Sequence, residues 1–129
     1  MIKQMRRVQI LNETRPLTAR LEAGYAESFG DRLRGLTFRR TLPREEGLLL
    51  VQGRPTRLDG AIHMLGVWFV LGIVWLDDQR RVIDTRLARP WRLLYVPRAP
   101  AQFVLEISGD RLREFAIDDR LRFEDVPTT

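Results

Sequence analysis

Residues 60–76 read GAIHMLGVWFVLGIVWL, 17 positions without a formal charge. Two readings compete, a membrane span and buried strands. A helix crossing the hydrocarbon layer wants roughly 20 apolar residues, and Arg or Lys anchors normally flank it. Here Asp59 stands on one side and Asp77-Asp78 on the other. Three glycines, a histidine and many β-branched or aromatic residues suit strands better than a helix. The stretch therefore reads as a core hairpin or long strand, with no membrane span, and the fold around it is expected to be mostly β.

The flanking sequence fits that expectation. Met5 to Asn12 alternates, with Val8 and Ile10 on one face and Arg7 and Gln9 on the other, the period-two mark of a half-buried strand. Leu17, Ala19 and Leu21 alternate in the same way after Arg15-Pro16, which predicts a hairpin. Ser28 followed by Asp31 resembles a capping box, and Gly35 is a natural stop, so a helix is expected over 28–34. Its face carries Tyr25, Phe29, Leu33 and Leu36. Further strands are expected at 48–51, 81–87, 102–108 and 120–124, with a short late helix at 111–115. At 102–108, Phe103, Leu105 and Ile107 point one way, and Gln102, Val104, Glu106 and Ser108 the other. Many short strands with Gly and Pro punctuation predict a β-sandwich or partly open barrel. One domain over 1–129 is expected, with 127–129 a frayed tail.

Composition narrows the function classes. The chain has 129 residues, 44% hydrophobic and 30% charged, which excludes a disordered or collagen-like chain. There is no Cys, so no disulfide frame, thiol nucleophile or Cys-held metal. The aspartate pairs Asp77-Asp78 and Asp118-Asp119 lack the spacing of a calcium loop. Neither Ser28 nor Ser108 sits in a nucleophile elbow, and the glycines make no phosphate-binding fingerprint. No cofactor and no metal is expected. The N-terminus lacks the apolar core and cleavage site of a signal peptide, so a cytoplasmic location is expected.

The order Phe29, Arg32 to Leu36, Arg39, Leu42, Gly47-Leu48-Leu49, Ile62-His63, Gly66, Phe69, Leu76-Asp77, Val82, Pro90-Trp91-Arg92, Leu105-Glu106 and Gly109 resembles the family called domain of unknown function 192. The likeness runs over about 26–123 and implies a compact β-rich domain with no assigned reaction. In the core motif of the similar branch, the family's Arg falls at Trp68, its Pro at Val70 and its Asp at Gly72. On a regular strand, positions 68, 70 and 72 share one face. The paired loss of charge there is either an apolar replacement of a buried ion pair, which costs little stability, or the loss of an activity that used it.

Candidate site residues follow from residue chemistry. His63 is the only histidine, and His titrates near neutrality, so it is either a general acid or base or a hydrogen-bonded core residue. Glu106 is its candidate catalytic partner, expected to face solvent, a cleft or an Arg, with an Arg partner the default. Arg34 and Arg39 flank the expected helix end, where they could clamp a carboxylate or phosphate or simply cap the helix. Charge alternates in blocks: +6 over 1–44, −3 over 45–79, +5 over 80–98 and −3 over 99–129. The third block contains Arg89, Trp91 and Arg92, a cationic and aromatic cluster suited to an anionic ligand. Basic residues beside aromatics can also hold a nucleic-acid backbone while bases stack, but no nucleic-acid-binding motif accompanies the block, so nucleic acid is the less favoured partner. The leading expectation is a non-enzymatic binding or interaction domain whose Arg34, Arg39, Arg89, Trp91 and Arg92 meet an anionic small molecule or acidic protein. The alternative is a small enzyme with acid–base chemistry at His63 and Glu106.

Overall fold

The computed structural model describes residues 6–27, 41–57, 61–62, 64, 67–92 and 94–127. Seven strands form one sheet: β1 (Arg7–Asn12), β2 (Glu22–Ala26), β3 (Glu46–Thr56), β4 (Leu71–Leu76), β5 (Val82–Ala88), β6 (Ala101–Ser108) and β7 (Leu121–Asp125). A 3-10 helix, Gly109–Glu114, lies between β6 and β7. The order across the sheet is β5-β4-β6-β3-β2-β1-β7. Every neighbouring pair is antiparallel except β2 with β3. That parallel pair needs a crossover of a dozen residues or more, a length that residues 27–45 supply.

The sheet curls until its two edge strands meet at one end. Arg81 and Arg120 form a bridge there, and the Val82 and Asp118 amides donate to the Asp119 and Val82 carbonyls at 2.9 and 2.8 Å. The result is a seven-stranded half-barrel, so of the two expected architectures the partly open barrel matches and a pair of stacked sheets does not. Curling lets both faces of the sheet become dry. Val74, Leu76, Phe103, Leu105 and Ile107 fill the concave side with Val8, Ile10 and Leu49. Leu48, Leu50, Leu71, Ile73, Trp75 and Val104 pack on the other side, under Ile62, Met64 and Val67. A strand buried on both faces reads as a continuous apolar run, which is why β4 is wholly buried.

Several expectations need correction. The uncharged stretch is not one strand or a hairpin, because β4 begins only at Leu71. Trp68 and Val70 consequently lie exposed ahead of it, while Gly72 is buried within it. Val70 and Gly72 both border the 3-10 helix, at Gly109 and Leu112, whereas Trp68 meets Trp91, and the apolar residues at 68 and 70 do not fill the core as an apolar replacement of a buried ion pair would. At Gly72 a Cβ would stand 3.1 Å from Ile107 Cγ1 and 3.2 Å from Leu112 Cβ, so the missing side chain is what lets the 3-10 helix close on β4. Residues 17–21 are not a strand. The hairpin partner of β1 is β2, with Arg7 opposite Gly24. The Ala19 and Arg20 carbonyls are instead taken by the Arg111 guanidinium, at 2.7 and 3.1 Å. The helix expected over 28–34 lies outside the described residues, as does the end of the 127–129 tail.

Candidate functional site

Arg34, Arg39 and His63 lie outside the described residues. Glu106 is described, and its setting differs from expectation. Alternation along β6 places its side chain opposite Phe103, Leu105 and Ile107, as the sequence pattern requires, but that second face is also a core. Glu106 is only 4% exposed, between Leu48 on β3 and Ile73 on β4 in the sheet register. No Arg pairs with it among the described residues, contrary to the default expectation. Burial alone pushes its carboxyl up to about 7, because removing water penalises the charged form.

Among the described residues, the buried arginine is one that sequence reasoning passed over. Arg111 is fully buried, and its Nε donates to Glu114 Oε2 at 2.8 Å. Its terminal nitrogens reach the carbonyls of Arg44 at 2.8 Å, Ala19 at 2.7 Å and Arg20 at 3.1 Å. A rigid fork of donors suits several acceptors at once. The guanidinium holds the Glu114 carboxyl down at about 2, helped by the Thr18 amide at 2.7 Å. This cluster clasps the 16–21 connection and the turn before β3 to the 3-10 helix, and its polar atoms are spent on the protein itself. A second clasp joins Asn12 to Asp119 at 2.8 Å, with Arg15 on the other Asp119 oxygen at 2.9 Å.

A different chemistry meets the surface after β5. The Ile62–Tyr95 bridge and the exchange of hydrogen bonds between Met64 and residues 91–92 zip the segment before β4 to the turn after β5. Trp91 has φ 64°, a left-handed conformation that a bulky side chain rarely takes. Its amide donates to the Met64 carbonyl at 2.9 Å, which helps fix it there. Its ring meets Trp68 edge-to-face with centroids 5.2 Å apart. Trp91 is 49% and Trp68 54% exposed. Arg89 and Arg92, also exposed, bracket Trp91 in the chain. Arg86 lies over the Tyr95 ring at 5.7 Å, and the Arg89 amide donates to the Tyr95 hydroxyl at 3.0 Å.

The cations of 80–98 thus divide. Arg98 pairs with Asp84 at 3.6 Å, and Arg80 lies over Phe103 and Phe123 at 5.7 and 5.0 Å. No described carboxylate forms an ion pair with Arg86, Arg89 or Arg92. The structure therefore brings Arg89, Trp91 and Arg92 to one exposed turn, while Glu106 is buried in the sheet.

The family model DUF192, described as Uncharacterized ACR, COG1430, matches residues 9–123. The chain belongs to this family. A UPF0127 protein of Thermococcus kodakarensis is 31% identical to this DUF192 chain over 110 residues, 85% of this chain and 68% of the relative. A UPF0127 protein of Pyrococcus furiosus is 33% identical over 97 residues, 75% of this chain and 80% of its own length. Two crystal structures share the DUF192 fold. One, from Sinorhizobium meliloti, has a TM-score of 0.82 at 19% identity, covering 95% of this chain and 98% of that one. The other, a protein of unknown function from Novosphingobium aromaticivorans, has a TM-score of 0.74 at 24% identity, covering 90% and 83%. DUF192 carries no assigned activity. Among the described residues no helix is long and apolar enough to cross a membrane.

Proposed function

We propose that this chain is a cytoplasmic, non-enzymatic binding domain that presents Arg89, Trp91 and Arg92 to an anionic ligand or acidic partner. The observation that carries the reading is Trp91, half exposed in a left-handed backbone between two arginines that no described carboxylate neutralises. Strain at an exposed aromatic is retained where the side chain has a use. Guanidinium groups that no described carboxylate pairs with are available to an anionic carboxylate or phosphate, and the ring adds apolar area at small entropic cost. Arg34 and Arg39 complete the proposed cationic set from the sequence.

The test is fluorescence anisotropy with a labelled polyglutamate peptide at low and raised salt. Binding that weakens with salt and is lost in Arg89→Ala/Arg92→Ala supports the reading. Binding that is absent at low salt, or unaffected by the double substitution, overturns it.

One observation favours acid–base chemistry as a second reading: Glu106 titrates close to neutrality, where a general acid or base works best. It would act with His63. Its burial between Leu48 and Ile73 speaks for a core carboxyl instead, and the two roles separate experimentally. Glu106→Gln abolishes a turnover that uses the carboxyl and leaves polyglutamate binding unchanged.

A further inference from the structure

The exposed apolar side chains of the described chain are concentrated. Of the seven exposed large hydrophobic residues among those described, six fall between Trp68 and Val96. The most open are Leu94 at 59%, Trp68 at 54% and Trp91 at 49%. A gathering of this kind marks an interaction surface more often than scattered single residues do. The same stretch holds Arg86, Arg89 and Arg92; of its three acids, Asp84 is occupied by Arg98 and by the Thr85 amide, while Asp77 and Asp78 lie in the β4–β5 turn, at the far end of that hairpin from Trp68 and Trp91. Apolar rings and cations that no described carboxylate pairs with thus meet at the end of the hairpin away from Asp77 and Asp78.

The geometry selects the occupant. A single strand of nucleic acid stacks successive bases on aromatic faces, but the Trp68 and Trp91 rings stand at 90° to each other. Consecutive bases cannot lie flat on both. A peptide helix needs a groove, and the recess beside the surface, lined by Val70, Leu87, Ser108, Gly109 and Asp110, is shallow. A bilayer interface needs neither parallel rings nor a groove. Indoles settle at the headgroup level, with the ring in the acyl boundary and the N–H toward water. Arginines at the same depth meet anionic headgroups.

We propose that the surface around Trp68 and Trp91 docks this protein on anionic lipid bilayers, with Arg89 and Arg92 against the headgroup phosphates. The inference rests on the anion-binding reading above and names its ligand as a membrane surface.

The experiment uses the full chain with phosphatidylcholine vesicles made with and without phosphatidylglycerol, read by co-sedimentation and tryptophan emission. Trp75 is fully buried, so a shift in emission reports Trp68 and Trp91. Expected are sedimentation and a blue shift with phosphatidylglycerol vesicles only, both reversed by salt. Each arginine removed at 89 and 92 should lower the affinity about fivefold. Trp91→Ala should lose affinity, while Ile117→Ala, which removes an exposed apolar residue elsewhere, should not; circular dichroism checks that each variant is folded. No binding to phosphatidylglycerol vesicles at low salt overturns the inference, as does equal binding to pure phosphatidylcholine or binding that Arg89→Ala/Arg92→Ala leaves intact. Retained polyglutamate binding in that case removes only the bilayer as ligand, whereas loss of both removes the anion-binding reading with it.

Discussion

Replacing Glu106 by Gln should make this protein more stable, and the gain should depend on pH in a defined way. The carboxyl rises from 4.5 to about 7 on folding, through burial. Its folded value therefore lies above its unfolded one. Below about pH 4.5 it is protonated in both states and contributes no difference. Between about 4.5 and 7 the unfolded chain gives up the proton and the folded chain keeps it, so stability falls as pH rises. Above about 7 both states are charged and the loss levels off. At about 1.4 kcal/mol per unit, the plateau is about 3 kcal/mol. Gln has nearly the same shape and never charges, so it escapes this loss. Urea unfolding of the two proteins, followed by Trp75 emission and circular dichroism, measures the difference at each pH. The variant's advantage at about pH 8 should exceed its value at about pH 4 by roughly 3 kcal/mol. Other carboxylates titrate equally in both proteins and cancel. Parallel stability curves from pH 4 to 8 would refute the reasoning, since they mean that Glu106 meets water or a cation in the folded state.

Three further outcomes follow from the same physical accounting. Arg111→Ala leaves Glu114 buried without its cation and three carbonyls without a donor, so it should cost about 3–5 kcal/mol in urea unfolding. The Glu114 carboxyl, held at about 2, supports stability above 4.5 and loses it as pH falls toward 2; Glu114→Gln should flatten that acid limb, worth about 3 kcal/mol. At Trp91, Gly should be more stable than Ala by about 1 kcal/mol in thermal unfolding, because only Gly is free of the left-handed Cβ clash. Equal stability of the two would mean that the turn relaxes out of its φ 64° conformation.

The strands at β1, β6 and β7 are legible in the sequence because their alternation is undisturbed by polar partners. Residues 17–21 alternate as well, yet their carbonyls serve Arg111, 91 residues away from Arg20, and nothing local announces that. Glu106 shows the limit of periodicity most plainly. Alternation assigns a side chain to a face, but whether that face is wet depends on what covers it, here including the segment through Ile62 and Met64. Arg111 was legible only as one cation among many, since its role depends on carbonyls from two distant turns. The Arg89, Trp91 and Arg92 cluster was visible from composition alone, because chain neighbours on a turn stay neighbours in space. Its strained backbone was not, as no glycine marks the position.

The pairing of β1 with β7 also governs how the protein bears load. Val8 faces Asp125 and Asn12 faces Leu121, and the Val126 amide donates to the Arg7 carbonyl at 3.1 Å. The chain therefore enters β1 and leaves β7 at the same end of the ladder. Tension applied through those flanking segments runs along the hydrogen bonds, which lie across antiparallel strands. It opens the ladder one rung at a time, starting at Arg7 and Val126, and never shears many rungs together. A core dry on both faces of its sheet gives little mechanical resistance in that direction, so the force needed to unfasten the fold is set by single rungs of this ladder and not by the burial of the core.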